Sequence, residues 1–244
     1  MSVCRYDGQN HSMLNFGQYL AGIWRQTTIL QIINLSNACS SHLESFLGYN
    51  GTVTELLLQN LLFNSNGIQD LSNGLAFNDT IQKITICHTR FSIPMIQNLN
   101  LNRSTIKNVS LIDCRIDGEM VNILLNSVLS LSSIVRLYLT NNEITDQGLQ
   151  LLINALPKCV RLEYIGLSGN FMTNASLLSL IEIIPRCPSI KDTDIGERKL
   201  IDVISTSRST KVKVIVYLLS VRHMHVVGRI TIPIHLIREI FLML

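Results

Sequence analysis

Two histidines near the C-terminus are the first side chains whose type and spacing suggest chemistry. His223 and His225 flank Met224, so a strand there would present two imidazoles on one face. No Cys, Asp or Glu lies near enough in the sequence to complete a zinc set, which favours a structural or exposed role. The sequence also contains no Gly-rich phosphate loop and no G-x-S-x-G nucleophile turn. We therefore predict no catalytic residue, no metal and no cofactor, and hence a non-enzymatic protein.

The cysteines are the other reactive candidates. Cys159 and Cys187 lie 28 residues apart, and each follows a proline and a basic residue at a predicted helix end. Cys114 falls on a position that faces the core in the repeat described below. Because buried thiols behave as small hydrophobic side chains, we interpret these cysteines as structural. The alternatives are a disulfide framework and a reactive nucleophile.

The composition indicates a folded chain that buries apolar surface on many sides. Hydrophobic residues make up 47% and charged residues 15% of the 244 residues. An average soluble domain has about 25% charged residues. This composition excludes a disordered chain. The net charge is only +3, with scattered Lys and Arg, which argues against a nucleic-acid partner.

Two apolar segments raise the question of a membrane. Lys213 interrupts the apolar run 212–221, and charged residues interrupt the run 230–244. A spanning helix needs about 18 or more nearly uninterrupted apolar residues. The N-terminus contains Arg5 and Asp7 and does not resemble a secretory signal. We predict a soluble, cytoplasmic chain without a transmembrane segment. The Asn-X-Ser/Thr triplets, which have the pattern of N-glycosylation sites, are then expected to stay unglycosylated.

An internal repeat is the strongest signal in the sequence. The segment 134–144 has apolar residues at its first, fourth, sixth and eleventh positions and Asn142 at its ninth. The segment 162–172 repeats the pattern 28 residues later, and the segments 106–116 and 81–91 carry Cys or Thr at the ninth position. With weaker copies, the predicted repeats start at residues 30, 53, 81, 106, 134, 162 and 190, with steps of 23, 28, 25, 28, 28 and 28.

This pattern, L-x-x-L-x-L-x-x-N/C-x-L over roughly residues 28–200, resembles the leucine-rich repeat, and the 28-residue period is similar to that of the ribonuclease-inhibitor class. The resemblance implies an α/β solenoid, a horseshoe with parallel strands on the concave face, helices on the convex face and helical caps. We expect an N-terminal helical cap at 1–28, with a helix around 14–24, and about seven repeats at 29–200. The ninth position is Leu61 in the second copy and Ala38 in the first, which departs from the pattern.

Each repeat is expected to fold as a short strand followed by a helix. The strand period of two turns positions four and six inward, so Leu139 and Leu167 should be buried. An Asn at position nine can satisfy backbone groups of the turn. Thr145 or Asp146 is the expected N-cap of the following helix, and Pro157 is expected to end it.

Strand residues that point away from the core would line the concave face, the usual partner site of this class. In successive repeats, position three carries Lys83, Asn108, Arg136, Tyr164 and Asp192. Position five carries Thr85, Ser110, Tyr138, Gly166 and Asp194. Position eight carries His88, Asp113, Asn141, Gly169 and Glu197. We predict a protein-binding surface at Lys83, His88, Asp113, Arg136, Tyr138, Tyr164, Asp192 and Asp194. The alternative is that these residues are merely solvated. Tyr and Arg are enriched at interface hot spots, and we expect both tyrosines to be exposed.

The C-terminal segment 201–244 has two interpretations. It is either a helical cap or an appended segment. The run 232–244 resembles the opening helix of an F-box, and together with the preceding predicted helix 211–222 it resembles a SOCS-type box. The resemblance implies that Pro233, Leu236, Ile237, Ile240 and Phe241 would bind an adaptor. The chain would then be a substrate adaptor that recruits a host ubiquitin ligase through residues 211–244. The Ile- and Asn-rich composition also resembles leucine-rich-repeat effectors that intracellular bacterial pathogens deliver into the host cytosol.

Overall fold

The computed structural model describes residues 2–8, 13–23, 27–101, 105–126, 133–187 and 189–196. Within these residues, eight strands form one all-parallel sheet in sequence order. The strands are β1 (Val3–Asp7), β2 (Ile29–Ile33), β3 (Glu55–Gln59), β4 (Lys83–Cys87), β5 (Asn108–Ile112), β6 (Arg136–Tyr138), β7 (Tyr164–Gly166) and β8 (Asp192–Asp194). This architecture is consistent with a solenoid-like α/β fold and with the predicted leucine-rich-repeat pattern.

A helix follows each of the first seven strands. The helices are α1 (Met13–Ile23), α2 (Ser40–Tyr49), α3 (Ser65–Phe77), α4 (Ile93–Asn98), α5 (Gly118–Leu124), α6 (Asp146–Ala155) and α7 (Asn174–Ile183). Each of α1 to α6 packs against the helix that follows it, since neighbouring units stack. Of the helices described, none is long and apolar enough to cross a membrane.

The strand pairing gives the register of the repeat. Ile29, Glu55, Lys83, Asn108, Arg136, Tyr164 and Asp192 are successive partners, which confirms the predicted register from the second repeat onward. The predicted start of the first repeat at Leu30 is wrong by three residues, because Leu30 pairs with Leu56 and therefore occupies position four. Thr27 takes position one, where it is fully buried, and Leu35 rather than Ala38 takes position nine.

The N-terminal segment contains a strand as well as the expected helix. β1 pairs in parallel with β2, and Tyr6 is buried against Phe16 of α1 with ring centroids 4.7 Å apart. β1 and α1 thus form a strand–helix pair, the first of seven in the described residues, rather than a helix alone. The segment 201–244 lies outside the described residues.

The buried face of the sheet and the helices share one apolar core. Positions four and six of the strands are buried almost throughout, and Leu139 and Leu167 are among the residues that are 0–1% exposed. The burial alternates along β3 and β4, and in β4 Ile84 and Ile86 are buried and their neighbours are not. This confirms the inward orientation predicted from the strand period.

The ninth-position asparagines bond to the backbone of the turns. Asn142 Oδ1 accepts from the N–H groups of Cys114 (2.9 Å) and Ile116 (3.1 Å). Its Nδ2 donates to the carbonyls of Leu111 (2.7 Å) and Thr140 (3.2 Å). In the same way, Asn170 accepts from Ile144 N–H and donates to the Leu139 carbonyl of the preceding unit and to the Leu167 carbonyl of its own unit. Because a buried backbone group without a partner is costly, these amides hold adjacent units together, as predicted.

Two Asn-X-Thr triplets have a structural role. Asn50 is 2% and Asn78 3% exposed. Asn50 Oδ1 accepts from the backbone N–H groups of Thr52 (3.0 Å) and Val53 (2.8 Å), and Asn78 repeats both contacts in the next unit. Side-chain bonds of this kind stabilise a turn. The triplets therefore build the turns between α2 and β3 and between α3 and β4.

Gly74 allows α2 and α3 to approach closely. A Cβ at Gly74 would lie 2.8 Å from the carbonyl oxygen of Glu44, which is backbone and cannot rotate away. We expect Gly74→Ala to force the helices apart and to lower the free energy of unfolding by about 1–3 kcal/mol. Gly22→Ala is the matched control, because a Cβ there meets nothing within 4 Å. It should leave stability unchanged or raise it by up to about 1 kcal/mol. If Gly74→Ala and Gly22→Ala lowered the free energy of unfolding equally in urea titrations, the close approach of α2 and α3 at Gly74 would be contradicted.

Candidate interaction surface

The sheet has one face that does not pack against the helices. Positions three and five of each strand lie on it, because alternate residues of a strand point to opposite faces. We call these two rows the strand face. Their side chains are mostly half-exposed, whereas positions four and six are buried. The strand face is therefore a polar and aromatic surface on a closely packed support.

Five predicted site residues meet at one end of the strand face. Arg136, Tyr164 and Asp192 are direct neighbours across β6, β7 and β8 in the row of position three. In the row of position five, Tyr138 neighbours Gly166, and Gly166 neighbours Asp194. We call these six residues the β6–β8 patch. It presents a cation on β6, an aromatic centre and two carboxylates on β8.

The two tyrosines of the β6–β8 patch stack on each other. Their ring centroids lie 4.7 Å apart and the rings are tilted by 38°. A Cβ at Gly166 would lie 3.3 Å from ring atoms of both Tyr138 and Tyr164, so the absence of a side chain there makes room for the pair. The rings cover Gly166, which is buried although it is on the open face. Both tyrosines lie on the open face as expected, but each is half-buried by the other ring and is less exposed than expected.

The charges of the patch act on the Tyr164 hydroxyl. Burial raises the pKa of Tyr164 above its ordinary value of 10.0. The nearby carboxyl groups of Asp194 and Asp192 raise this pKa further, while Arg136 lowers it. The hydroxyl is thus protonated at neutral pH and can donate a hydrogen bond to a partner. The backbone N–H of Gly196 and the Ser168 hydroxyl both donate to the Asp194 carboxylate, at 2.9 and 2.7 Å.

The other three predicted site residues lie away from the patch. Lys83 is on β4, two strands from β6, and its Nζ lies 3.1 Å from a carboxylate oxygen of Glu55. His88 Nδ1 and Asp113 Oδ2 are 2.7 Å apart in the turns that follow β4 and β5. Each of these three side chains thus interacts with a side chain of an adjacent unit. They lie on the same side as the patch without forming one site with it.

Position eight has a conformational role that the sequence reasoning did not identify. Its residues have φ between 52° and 72°, the left-handed region. They are Asn34, Asn60, His88, Asp113, Asn141 and Gly169. Asn, Asp, His and Gly are the residues that adopt this region most readily. Asn34 also donates to Asp7 at 2.9 Å, and Asn60 donates to Asn34. The recurrence of Asn, Asp and Gly at this position was a signal available in the sequence.

The cysteines are free thiols, and four of the six are buried. Burial raises the pKa of Cys114 to about 12 and that of Cys159 to about 11. Both therefore stay protonated at neutral pH, the form of a thiol that is a poor nucleophile. The predicted burial of Cys114, Cys159 and Cys187 is confirmed. No group of three or more His, Cys, Asp or Glu side chains in the described part of the chain is arranged to hold a metal ion.

Several predicted residues fall outside the described part of the chain. They are Glu197, His223, His225, Pro233, Leu236, Ile237, Ile240 and Phe241. The adaptor-binding segment therefore stays a prediction.

No protein-family model matches the sequence, and no curated protein matches it. Among solved structures, a protein from Bacteroides fragilis aligns with a TM-score of 0.49 and 11% identity over 80% of this chain. This chain covers 65% of that protein, slightly less than two thirds. The structure of leiomodin-1 actin-binding site 2 aligns with a TM-score of 0.44 and 13% identity, over 75% of this chain and 87% of that one. Such distant likenesses carry no information about the partner of this chain.

Proposed function

We propose that this protein is a non-enzymatic interaction module that binds a partner protein on its strand face. The observation that carries the proposal is the stacked pair Tyr138 and Tyr164, half-exposed between Arg136 and the carboxylates of β8. Interface hot spots are enriched in Tyr and Arg. A tyrosine offers a large rigid apolar surface with a polar end and loses little conformational entropy when it binds.

The support beneath the tyrosines also favours binding. Leu137 and Ile165 lie on the buried side of β6 and β7, 3% and 0% exposed, so the strands under the rings are held by the core. A preorganised surface binds more tightly, because less ordering is needed on association. The tyrosines are already stacked in the free protein.

The proposal includes the assignment to a repeat class that the sequence suggested. We assign the chain to horseshoe-shaped leucine-rich-repeat proteins of the ribonuclease-inhibitor class, with the strand face as the concave face. The eight parallel strands in sequence order and the 28-residue spacing of the last four strands support this assignment.

The test is affinity capture with paired aromatic variants of the full chain. Replacing Tyr138 and Tyr164 together with Ala should abolish capture of partners that the wild type retains, as judged by quantitative mass spectrometry. The matched control replaces Tyr49 and Phe77 with Ala, because these rings are 81% and 78% exposed at the ends of α2 and α3. The control removes two aromatic rings from the helix side and should capture the same partners as the wild type.

Stability must be measured for both variants. Loss of an aromatic pair costs about 0.5–1.5 kcal/mol beyond its buried area, so the tyrosine variant should stay folded in circular dichroism. A folded tyrosine variant that retains every partner would refute binding at this face. Loss of the same partners in both variants would show that aromatic surface in general, rather than the strand face, mediates capture.

We further propose that the partner is a protein of a eukaryotic host and that the chain acts as a delivered bacterial effector. The composition and the irregular repeats support this by resemblance alone. Capture from eukaryotic and from bacterial lysates should give tyrosine-dependent partners only in the eukaryotic lysate. Tyrosine-dependent capture confined to the bacterial lysate would contradict the effector role and leave the interaction function intact.

A further inference from the structure

We infer that the β6–β8 patch recognises a basic side chain of its partner, Arg or Lys, lying over Tyr138 and Tyr164 with its charge directed at the carboxylates of β8. This inference rests on the interaction function proposed above and specifies what the patch recognises. The partner segment is one that presents a cationic side chain to the strand face.

The order of charges across the three strands supports this choice. Arg136, Tyr164 and Asp192 stand side by side on β6, β7 and β8, and neighbouring strands are about 4.8 Å apart. The positive charge of Arg136 is therefore separated from the negative end by the width of the aromatic centre. A cationic side chain over the rings is repelled by Arg136 on β6 and attracted by the carboxylates on β8. The patch therefore orients the bound cation towards β8.

The tyrosine rings and Asp194 offer complementary contacts to one cation. The face of an aromatic ring is electronegative and attracts Lys and Arg. A guanidinium that stacks on a ring can also form a hydrogen bond with a carboxylate at its edge. Within the described residues, the partners of the Asp194 side chain are neutral donors, the Ser168 hydroxyl and the Gly196 N–H. These bonds orient the carboxylate without neutralising its charge.

Arg136 supplies a positive charge at the β6 end of the patch, opposite the carboxylates of β8. Its side chain is exposed and has no ion-pair partner in the part of the chain that the structure describes. It lies beside the ring of Tyr164 in the row of position three, on the side opposite Asp192. The segment that fits best therefore places its basic side chain towards β8 and an acidic or polar residue towards β6.

The test is selection from a library of random peptides displayed on phage, against the full chain and against the double variant Asp192→Asn and Asp194→Asn. In Asp194 one carboxylate oxygen accepts from Gly196 N–H and the other from the Ser168 hydroxyl. An asparagine oxygen can still accept from Gly196 N–H, and its amide nitrogen can donate to the Ser168 hydroxyl oxygen, so the variant removes the charges with little structural change. The wild type should enrich peptides that contain Arg or Lys, and the variant should not. A selected peptide made synthetically should bind about fivefold more weakly when citrulline replaces its Arg, measured by fluorescence anisotropy.

The peptide experiment would overturn the inference if the wild type selected no peptide, if the selected peptides lacked basic residues, or if the Arg and citrulline peptides bound equally. The citrulline comparison needs no protein variant, so it remains decisive if the double variant misfolds.

Failure of cation recognition can be distinguished from failure of the proposed interaction function. Loss of partner capture in the tyrosine variant, but not in the Asp192 and Asp194 variant, would uphold the interaction surface and refute recognition of a cation. Self-association through the face, detected as a concentration-dependent mass, would identify a second copy as the occupant and contradict the inference.

Discussion

Replacing Leu139 or Leu167 with Ala is expected to lower the free energy of unfolding by about 2–5 kcal/mol, measured by chemical denaturation. These side chains are 1% and 0% exposed, at position six of adjacent units. Truncation removes apolar surface from the core and leaves a cavity that the stacked units cannot close without moving a strand. Since each unit is stabilised by its neighbours, the loss should spread to both sides of the substituted unit.

Leu62→Ala is the control for this experiment. Leu62 is 62% exposed, so the same change in chemistry should alter stability by no more than about 0.5 kcal/mol. If the three variants lost similar stability, the loss would reflect the substitution rather than its position. A Leu139 or Leu167 variant as stable as the wild type would show that the register of the strands is wrong.

Asn142→Ala is expected to lower the free energy of unfolding by about 3 kcal/mol or more. The side chain makes four hydrogen bonds to the backbone, to groups of Cys114, Ile116, Leu111 and Thr140. Asn142 is 3% exposed, so water cannot readily replace the amide. Each buried group left without a partner costs about 1–3 kcal/mol, and local relaxation recovers part of the total.

Asn142→Thr provides the informative comparison. Thr89 holds the equivalent position two units earlier, where its hydroxyl accepts from Leu61 N–H (3.0 Å) and donates to the Cys87 carbonyl (3.2 Å). A threonine at 142 should therefore satisfy one donor and one acceptor and lose less stability than alanine. Asn122→Ala, at an exposed position of α5, should have almost no effect. If Thr and Ala cost the same, the hydrogen bonds of Asn142 would not be the cause of the loss.

The register of the repeats could be predicted from the sequence in the middle of the chain but not in the first repeat. From 81 to 172, apolar residues at positions four and six occur together with Asn, Cys or Thr at position nine, so one alignment fits all the constraints. In the first repeat, Ile29, Leu30, Ile32, Ile33 and Leu35 are all apolar, and several alignments bury a similar amount of surface. The first repeat also has Thr27 instead of an apolar residue at position one and Leu35 instead of Asn or Cys at position nine, so neither position helps to fix the alignment. β1 was missed because it pairs with β2 without a recognisable copy of the motif.

The rows of the candidate site follow from the sequence, because parallel strands in a constant register bring equivalent repeat positions side by side. That Arg136, Tyr164 and Asp192 are neighbours was therefore predictable from a period of 28 residues. The tertiary structure alone decided how the side chains are arranged within those rows. The stacking of Tyr138 on Tyr164 over Gly166 depends on ring rotamers and on the space between two strands, which the repeat pattern does not specify. The orientation of Asp194 by Ser168 likewise joins two units through side chains. Periodicity determines which residues are adjacent, whereas packing determines which of their atoms meet and how much of each remains open to a partner.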